Sequence, residues 1–159
     1  MTTPAEITSV SEQLAGGIAA LSVDSIPAAV RARAEELLID IAGLCVAARN
    51  TDYIRALIAG VDGGGSCSAL GHASVFSAED AAMINGTAAH GEDFDDTFEG
   101  GPVHSGAVIV PAVLAACERF GRHGRAALVG TVVGIETLCR LSLVVPKAIH
   151  KAGFHPTSS

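Results

Sequence analysis

Tryptophan is missing from this chain, tyrosine occurs once and phenylalanine five times, so aromatics make up only 4% of its 159 residues. That scarcity excludes a core or a ligand pocket built on stacked rings. Basic residues are also few: ten Lys and Arg against seventeen Asp and Glu give a formal charge of −7. They are scattered rather than gathered in a patch, so nucleic acid and anionic membranes are both disfavoured as partners. The four cysteines (Cys45, Cys67, Cys117 and Cys139) form no C-x-x-C pair, which removes the usual zinc and redox patterns. In apolar helical surroundings a reduced Cys packs as a small hydrophobe. The N-terminus shows no basic stretch followed by an apolar one, as a secretory signal would. Glu136 and Arg140 interrupt the apolar run from Ala126 to Val145, leaving none of the ~18 residues a membrane span needs. A cytoplasmic location is expected.

What the chain does have is small aliphatic residues: 49% hydrophobic content and a mean hydropathy of +0.44. Its length suits one domain over 1–159, able to bury roughly 68–70% of the surface exposed when unfolded. So apolar a chain has little polar surface to cover its core, and a partner subunit or further polypeptide is expected to cover the remainder.

Apolar spacing of three and four predicts an all-α, bundle-like domain. A first helix is expected over Ala5–Leu21, although Gly16 and Gly17 weaken it. A second runs from Pro27, tolerated in a first turn, along a wide stripe through Ile41 and Cys45 to Arg49. Asp40 falls beside that stripe and is expected to face solvent or cap a neighbour rather than act as a catalytic acid. Asn50, Thr51 and Asp52 offer caps for a short third helix ending at Ile58. The run Gly63-Gly64-Gly65 matches no phosphate-loop pattern and reads as a flexible connection before a short extended piece, Cys67–Leu70. Ser77 with Asp80 three residues on suggests a capping box for a helix ending at His90. Two more helices are expected, Ser105–Phe120, with Pro111 at its start or at a kink and Gly121 as its stop, and Arg125–Val145 before Pro146.

Between the fourth and fifth helices lies Ala89-His-Gly-Glu-Asp-Phe-Asp-Asp-Thr-Phe-Glu-Gly-Gly-Pro-Val-His104. Glu92, Asp93, Asp95, Asp96 and Glu99 repel one another with no Lys or Arg nearby in sequence to relieve them, which marks the stretch as a site. Asp93-Phe-Asp-Asp-Thr fits the D-x-D-x-T pattern of haloacid-dehalogenase-like phosphatases, but what precedes it is helical rather than a buried strand. Asp95-Asp-Thr-Phe-Glu resembles the magnesium motif of all-α terpenoid synthases, which need a second metal motif and an aromatic pocket. An EF-hand is excluded by Phe98 and His104 at the sixth and twelfth positions. A metal site built from His90, Asp93, Asp95 and His104 would suit Mn, Fe or Zn, and a solvated acidic turn is the bland alternative.

His104-Ser-Gly-Ala-Val-Ile-Val-Pro and Gly153-Phe-His155-Pro-Thr-Ser add to the picture. Together with Asn85-Gly86, His90, Asp93-Phe-Asp-Asp-Thr and Leu38-Ile-Asp-Ile-Ala-Gly, their order and spacing resemble the MmgE/PrpD family of 2-methylcitrate dehydratases and cis-aconitate decarboxylases. The resemblance implies a cofactor-independent, metal-free enzyme with a large helical domain and an α/β lid, a homodimer acting on small di- or tricarboxylates. It implies Asp93, His104 and His155 as catalytic residues and His90, Thr97, Ser105 and Lys151 as substrate-binding ones. Where the family usually has His-Pro-Ser, this chain has His104-Ser105-Gly106. The chain corresponds to the N-terminal part of the helical domain, and the lid and the downstream lysines expected to hold substrate carboxylates fall outside it.

The chemistry asks for such groups. Removing water or CO₂ from a polycarboxylate needs its charge held, a proton moved at carbon and the leaving group assisted. Histidine titrates near pH ~6.5 and can donate protons or hold carboxylates, and a buried Asp93 is expected to orient a neighbouring His. Asp95 and Asp96 are expected to fix the loop through backbone hydrogen bonds. His72 and His123 read as surface residues, and His150 with Lys147 and Lys151 as a helix-end cap. A truncated or split-enzyme interaction module and a family epimerase are the alternatives.

Overall fold

The computed structural model describes residues 9–144 and 151–153. Helix α1 (Val10–Ala19) begins later than its apolar spacing suggests, because Ser9 and Glu12 form a reciprocal capping box. The Ser9 backbone is extended, with φ −64° and ψ 157°, so no helix passes through it. No residue of α1 is buried. Helix α2 (Ala28–Ala48) starts just after Pro27 and buries Ala34, Ile41, Cys45 and Ala48 along one side. Asp40 is exposed, as expected. A 3₁₀ turn at Val23–Ser25 is tied to α2 by Arg31, which donates to the Val23 carbonyl at 3.0 Å.

Helix α3 (Asp52–Ala59) follows at once and buries Ile54. Thr51 stands at its N-cap position, but its hydroxyl donates backwards to the Ala48 carbonyl at 2.8 Å, serving the end of α2 instead. Strands β1 (Cys67–Ser68) and β2 (Val75–Phe76) pair antiparallel, Cys67 opposite Phe76. The extended piece is thus shorter than expected and has a partner that two residues of pattern cannot announce. Nor is the glycine run merely a spacer. Gly64 donates to the Val75 carbonyl at 3.1 Å, and a β-carbon on Gly65 would stand 2.0 Å from the Phe76 carbonyl oxygen.

Helix α4 (Ala78–His90) is capped by Ser77, whose hydroxyl accepts from the Asp80 N–H and donates to the Asp80 carboxylate at 2.7 Å. Asp80 meets the hydroxyl, where a longer Glu would reach back to the cap's own N–H, so only half of the expected box forms. Helix α5 (Ser105–Arg119) carries Pro111 in its interior. Pro111 has no N–H for the Ala107 carbonyl, and that oxygen faces Gly86 of α4. At its far end Gly121, at φ 59°, makes a Schellman close: Arg122 donates to Cys117 and Gly121 to Glu118.

Helix α6 (Gly124–Val144) packs on α5 and α2, and Arg140 donates from Nε to Glu136 at 2.7 Å. Over an 18-residue window its mean hydropathy is 1.7, enough by length and composition to cross a membrane, with only 17% of that window buried. The ion pair does not stop α6 from being apolar overall; the helix is a packed element of the fold that keeps much apolar surface uncovered. Helix is the dominant structure, and the core is made of small residues. Ile41, Cys45, Ala88, Ala107 and Val110 join α2, α4 and α5, while Phe76, Ala81 and Ile84 join the hairpin to α4.

Asn85 ties these two halves together from inside α4. Its side chain accepts from the Leu70 N–H at 2.8 Å and donates to the Ser68 carbonyl at 2.9 Å, pairing backbone groups at and just beyond the end of β1. Its own carbonyl faces the Cys45 thiol at 3.2 Å.

Candidate active site

The acidic stretch is the connection between α4 and α5, so its ends are set by two helix termini. His90 is the last residue of α4 and His104 stands at the N-cap of α5. The packing of α4 on α5 brings them together, with ring centroids 4.8 Å apart and planes at 60°. Between them the chain turns at Asp93, which has φ 57° and an N–H bonded to the His90 carbonyl at 2.9 Å. Asp is among the few residues other than Gly that visit this left-handed region readily. A bridge between Phe98 and Val103 closes the second half of the loop.

The turn sends successive carboxylates in different directions. Asp93 is exposed, with 72% of its side chain accessible, and approaches His104 Nε2 at 3.7 Å. Asp95 is the buried one, its side chain wholly inaccessible. His90 Nδ1 lies 3.0 and 3.2 Å from its two oxygens, and His104 Nδ1 lies 3.4 Å from Oδ2. The sequence-based assignment is corrected on both counts: the buried carboxylate against the imidazoles is Asp95 rather than Asp93, and it meets rings rather than backbone. The reason is the left-handed turn, which rotates Asp93 outward and the next-but-one residue inward.

Asp96 does fix the loop as expected. It accepts from the Ser105 hydroxyl at 2.6 Å and from the Gly106 N–H at 2.7 Å, so its charge sits where the α5 dipole favours an anion. A β-carbon on Gly106 would lie 2.3 Å from that same carboxylate oxygen. His104-Ser105-Gly106 is therefore a cradle for Asp96, and Ser105 is occupied with it. Of the other residues singled out in the sequence, Thr97 is exposed on the same loop and Lys151 is exposed near the C-terminus. His72 is half-buried, His123 is exposed, and His155, Lys147 and His150 lie outside the described residues.

Ligand atoms of His90, Asp93, Asp95 and His104 all fall within 4.8 Å of one another, a spacing at which they could hold a metal ion. Two imidazoles and two carboxylates suit a divalent transition ion. Within the set His90 Nδ1 is bonded to Asp95, while His104 meets the two carboxylates at the longer ion-pair distances of 3.4 and 3.7 Å. A hollow of about 540 Å³ between α2, α6 and the 3₁₀ turn is bordered by Asp96 and Ser105 but not by these four. Of the four, only Asp93 is exposed to water; Asp95 and the two imidazoles are largely buried.

The role of Asp95 is what sequence reasoning missed. Four acids in a row of five offered no pattern of burial, and the one usable signal was distance: Asp95 stands five residues beyond the His at the helix end, close enough to fold back on it.

Residues 12–159 match the family described as the MmgE/PrpD N-terminal domain. A cis-aconitate decarboxylase-like protein of Aspergillus oryzae is 29% identical over 138 residues, 80% of this chain and 29% of that protein. A cis-aconitate decarboxylase of Aspergillus terreus is 31% identical over 122 residues, covering 74% of this chain and 24% of its own length. The chain thus spans less than a third of the curated relatives it matches.

Proposed function

This chain belongs to the MmgE/PrpD family, and from that premise we propose that it forms the helical, acid–base half of a lyase that dehydrates or decarboxylates a small di- or tricarboxylate. The observation that carries the proposal is the meeting of His104 with Asp93 at 3.7 Å and with Asp95 at 3.4 Å at the junction of α4 and α5. An imidazole held between carboxylates can take a proton from a substrate carbon or hand one to a leaving hydroxyl. His155 is the proposed second imidazole. His90, Thr97, Ser105 and Lys151 are proposed to border the substrate, Ser105 by way of Asp96. Such steps need only proton transfer and electrostatic holding, so no cofactor or metal is invoked.

Electrostatics says what else is required. Glu92, Asp93, Asp95, Asp96 and Glu99 make the loop strongly negative, on a chain whose formal charge is already −7. A polycarboxylate cannot be held there by these groups alone. Cations to hold it have to come from further polypeptide or a partner subunit.

The test is turnover of cis-aconitate and 2-methylcitrate by the chain alone and after assembly with polypeptide spanning the rest of the relatives' length. The chain alone should turn over poorly or not at all. The assembled enzyme should be active, keep its activity in a chelator, and lose at least ~10²-fold on His104→Ala or Asp93→Ala. An assembled enzyme indifferent to both substitutions would overturn the assignment. Assembly without turnover of any polycarboxylate would favour an interaction module instead.

A further inference from the structure

We propose that His90, Asp93, Asp95 and His104 bind a single divalent transition ion of the zinc class, and that this ion inhibits the acid–base chemistry of the site rather than serving it. The binding stands on geometry alone; only the inhibition rests on the lyase reading above. One ligand atom from each of the four residues lies within 4.8 Å of all the others. Ligands about 2.0–2.2 Å from a tetrahedral ion stand roughly 3.3–3.6 Å from one another. The contacts already made between the rings and the carboxylates, at 3.0, 3.4 and 3.7 Å, bracket that spacing. Only the widest gaps have to narrow when an ion enters.

The donor set decides the kind of ion. Two imidazoles with two carboxylates favour Zn²⁺ over Mg²⁺ or Ca²⁺, which seek six or more oxygens. The charges also match, since two carboxylates cancel a divalent ion. That balance matters where Asp95 is wholly inaccessible and the two rings are only 25% and 14% exposed. The neighbouring acids are committed elsewhere, Asp96 to Ser105 and Gly106 and Glu92 to the Tyr53 hydroxyl at 3.1 Å, while their charge draws cations toward the loop. Three of the four ligands are in place before any ion arrives. His90 ends α4 and His104 opens α5, their rings 4.8 Å apart, and Asp95 is bonded to His90 at 3.0 Å. Asp93, with 72% of its side chain exposed, has room to swing in as the fourth.

Inhibition follows from the electrons of the imidazole. A neutral ring has one nitrogen that donates and one that accepts. The ion takes the accepting nitrogen of His104, whichever of the two that is, and leaves the ring no electron pair for a substrate proton. Ion and proton therefore compete for the same pair, and Asp93 is drawn into the same complex. A chelator then removes an inhibitor rather than a cofactor, in keeping with the chelator-resistant turnover expected of the assembled enzyme.

The experiment is calorimetric titration of Zn²⁺ into the full 159-residue chain, with Co²⁺ as a second probe followed by visible absorption. One equivalent of Zn²⁺ should bind with a Kd below ~10 µM, and Co²⁺ should show the intense bands of a four-coordinate site. His104→Ala should weaken Zn²⁺ binding at least ~10²-fold, and Asp93→Asn, at an exposed side chain, at least ~10-fold. His123→Ala, at an exposed histidine between α5 and α6, should change nothing. A Kd above ~10 µM, or binding unmoved by His104→Ala and Asp93→Asn in chains of unchanged circular dichroism, would overturn the site. In the assembled enzyme one equivalent of Zn²⁺ should suppress turnover and a chelator should restore it; turnover stimulated by Zn²⁺ would overturn the inhibition. The titration needs no activity, so an inactive assembled enzyme would sink the lyase reading while leaving the ion site standing.

Discussion

At the scale of single residues, two buried side chains do structural work that is separable from the site. Asn85 pairs the Leu70 N–H and the Ser68 carbonyl, so Asn85→Ala strands two backbone groups next to β1. Each unpaired group costs about 1–3 kcal/mol where water cannot replace the bond. We expect a loss of at least ~2 kcal/mol in urea unfolding, and a change under about 0.5 kcal/mol would show that water takes over both bonds. Cys45 sits wholly buried, and burial pushes its thiol up to about 11 from the ordinary 9.0. Because the folded state disfavours the thiolate, this contribution to stability is full below pH 9.0 and fades as pH rises through about 11. A thiol reagent at neutral pH should therefore label Cys45 only on unfolding, and labelling of native Cys45 at the rate of a free thiol would contradict its placement.

Helix ends decide most of what matters at the scale of elements. The same chemistry, an acid at a helix N-terminus, closes α1 through Glu12 and α5 through Asp96. At Glu12 the Ser9 backbone N–H, and next its hydroxyl, hold the carboxyl below the ordinary 4.5. The folded value is depressed, so the cap is intact above 4.5 and is lost as pH falls through the lower folded value. The Ser9 amide should then lose its hydrogen-bonded shift in acid, and Glu12→Gln, whose carbonyl still accepts but does not titrate, should abolish that acid transition. An unchanged transition in Glu12→Gln would assign it to another group. Residues 105–120 were legible as a helix from their apolar spacing, yet whether Pro111 stood at its start or inside it was left open. A proline is tolerable there because the orphaned Ala107 carbonyl turns toward α4, a fact of packing that no local pattern encodes.

For the whole molecule the uncovered apolar surface sets the behaviour. Leu141 and Val144 are exposed on α6, Ile39 on α2 and Val10 on α1, and α6 is apolar along its length. Apolar surface of this extent favours association, each large side chain being worth roughly 1.5–3 kcal/mol if fully covered. Sedimentation should show the chain self-associating at micromolar concentration, with Leu141→Glu and Val144→Glu together shifting it toward monomer. A stable monomer in the unaltered chain would contradict the expectation.

Helix content, the order of the helices and the crowding of acids into a loop after His90 were determined by the sequence itself. They depend on apolar period, on capping residues and on charge crowding, all of which act within a few neighbours along the chain. Which carboxylate is buried, which faces solvent and which caps a helix was decided only by the tertiary structure. Asp93, Asp95 and Asp96 are chemically near-identical, and their roles separate only when one left-handed turn and the packing of α4 against α5 place the imidazoles of His90 and His104 around the middle of the three.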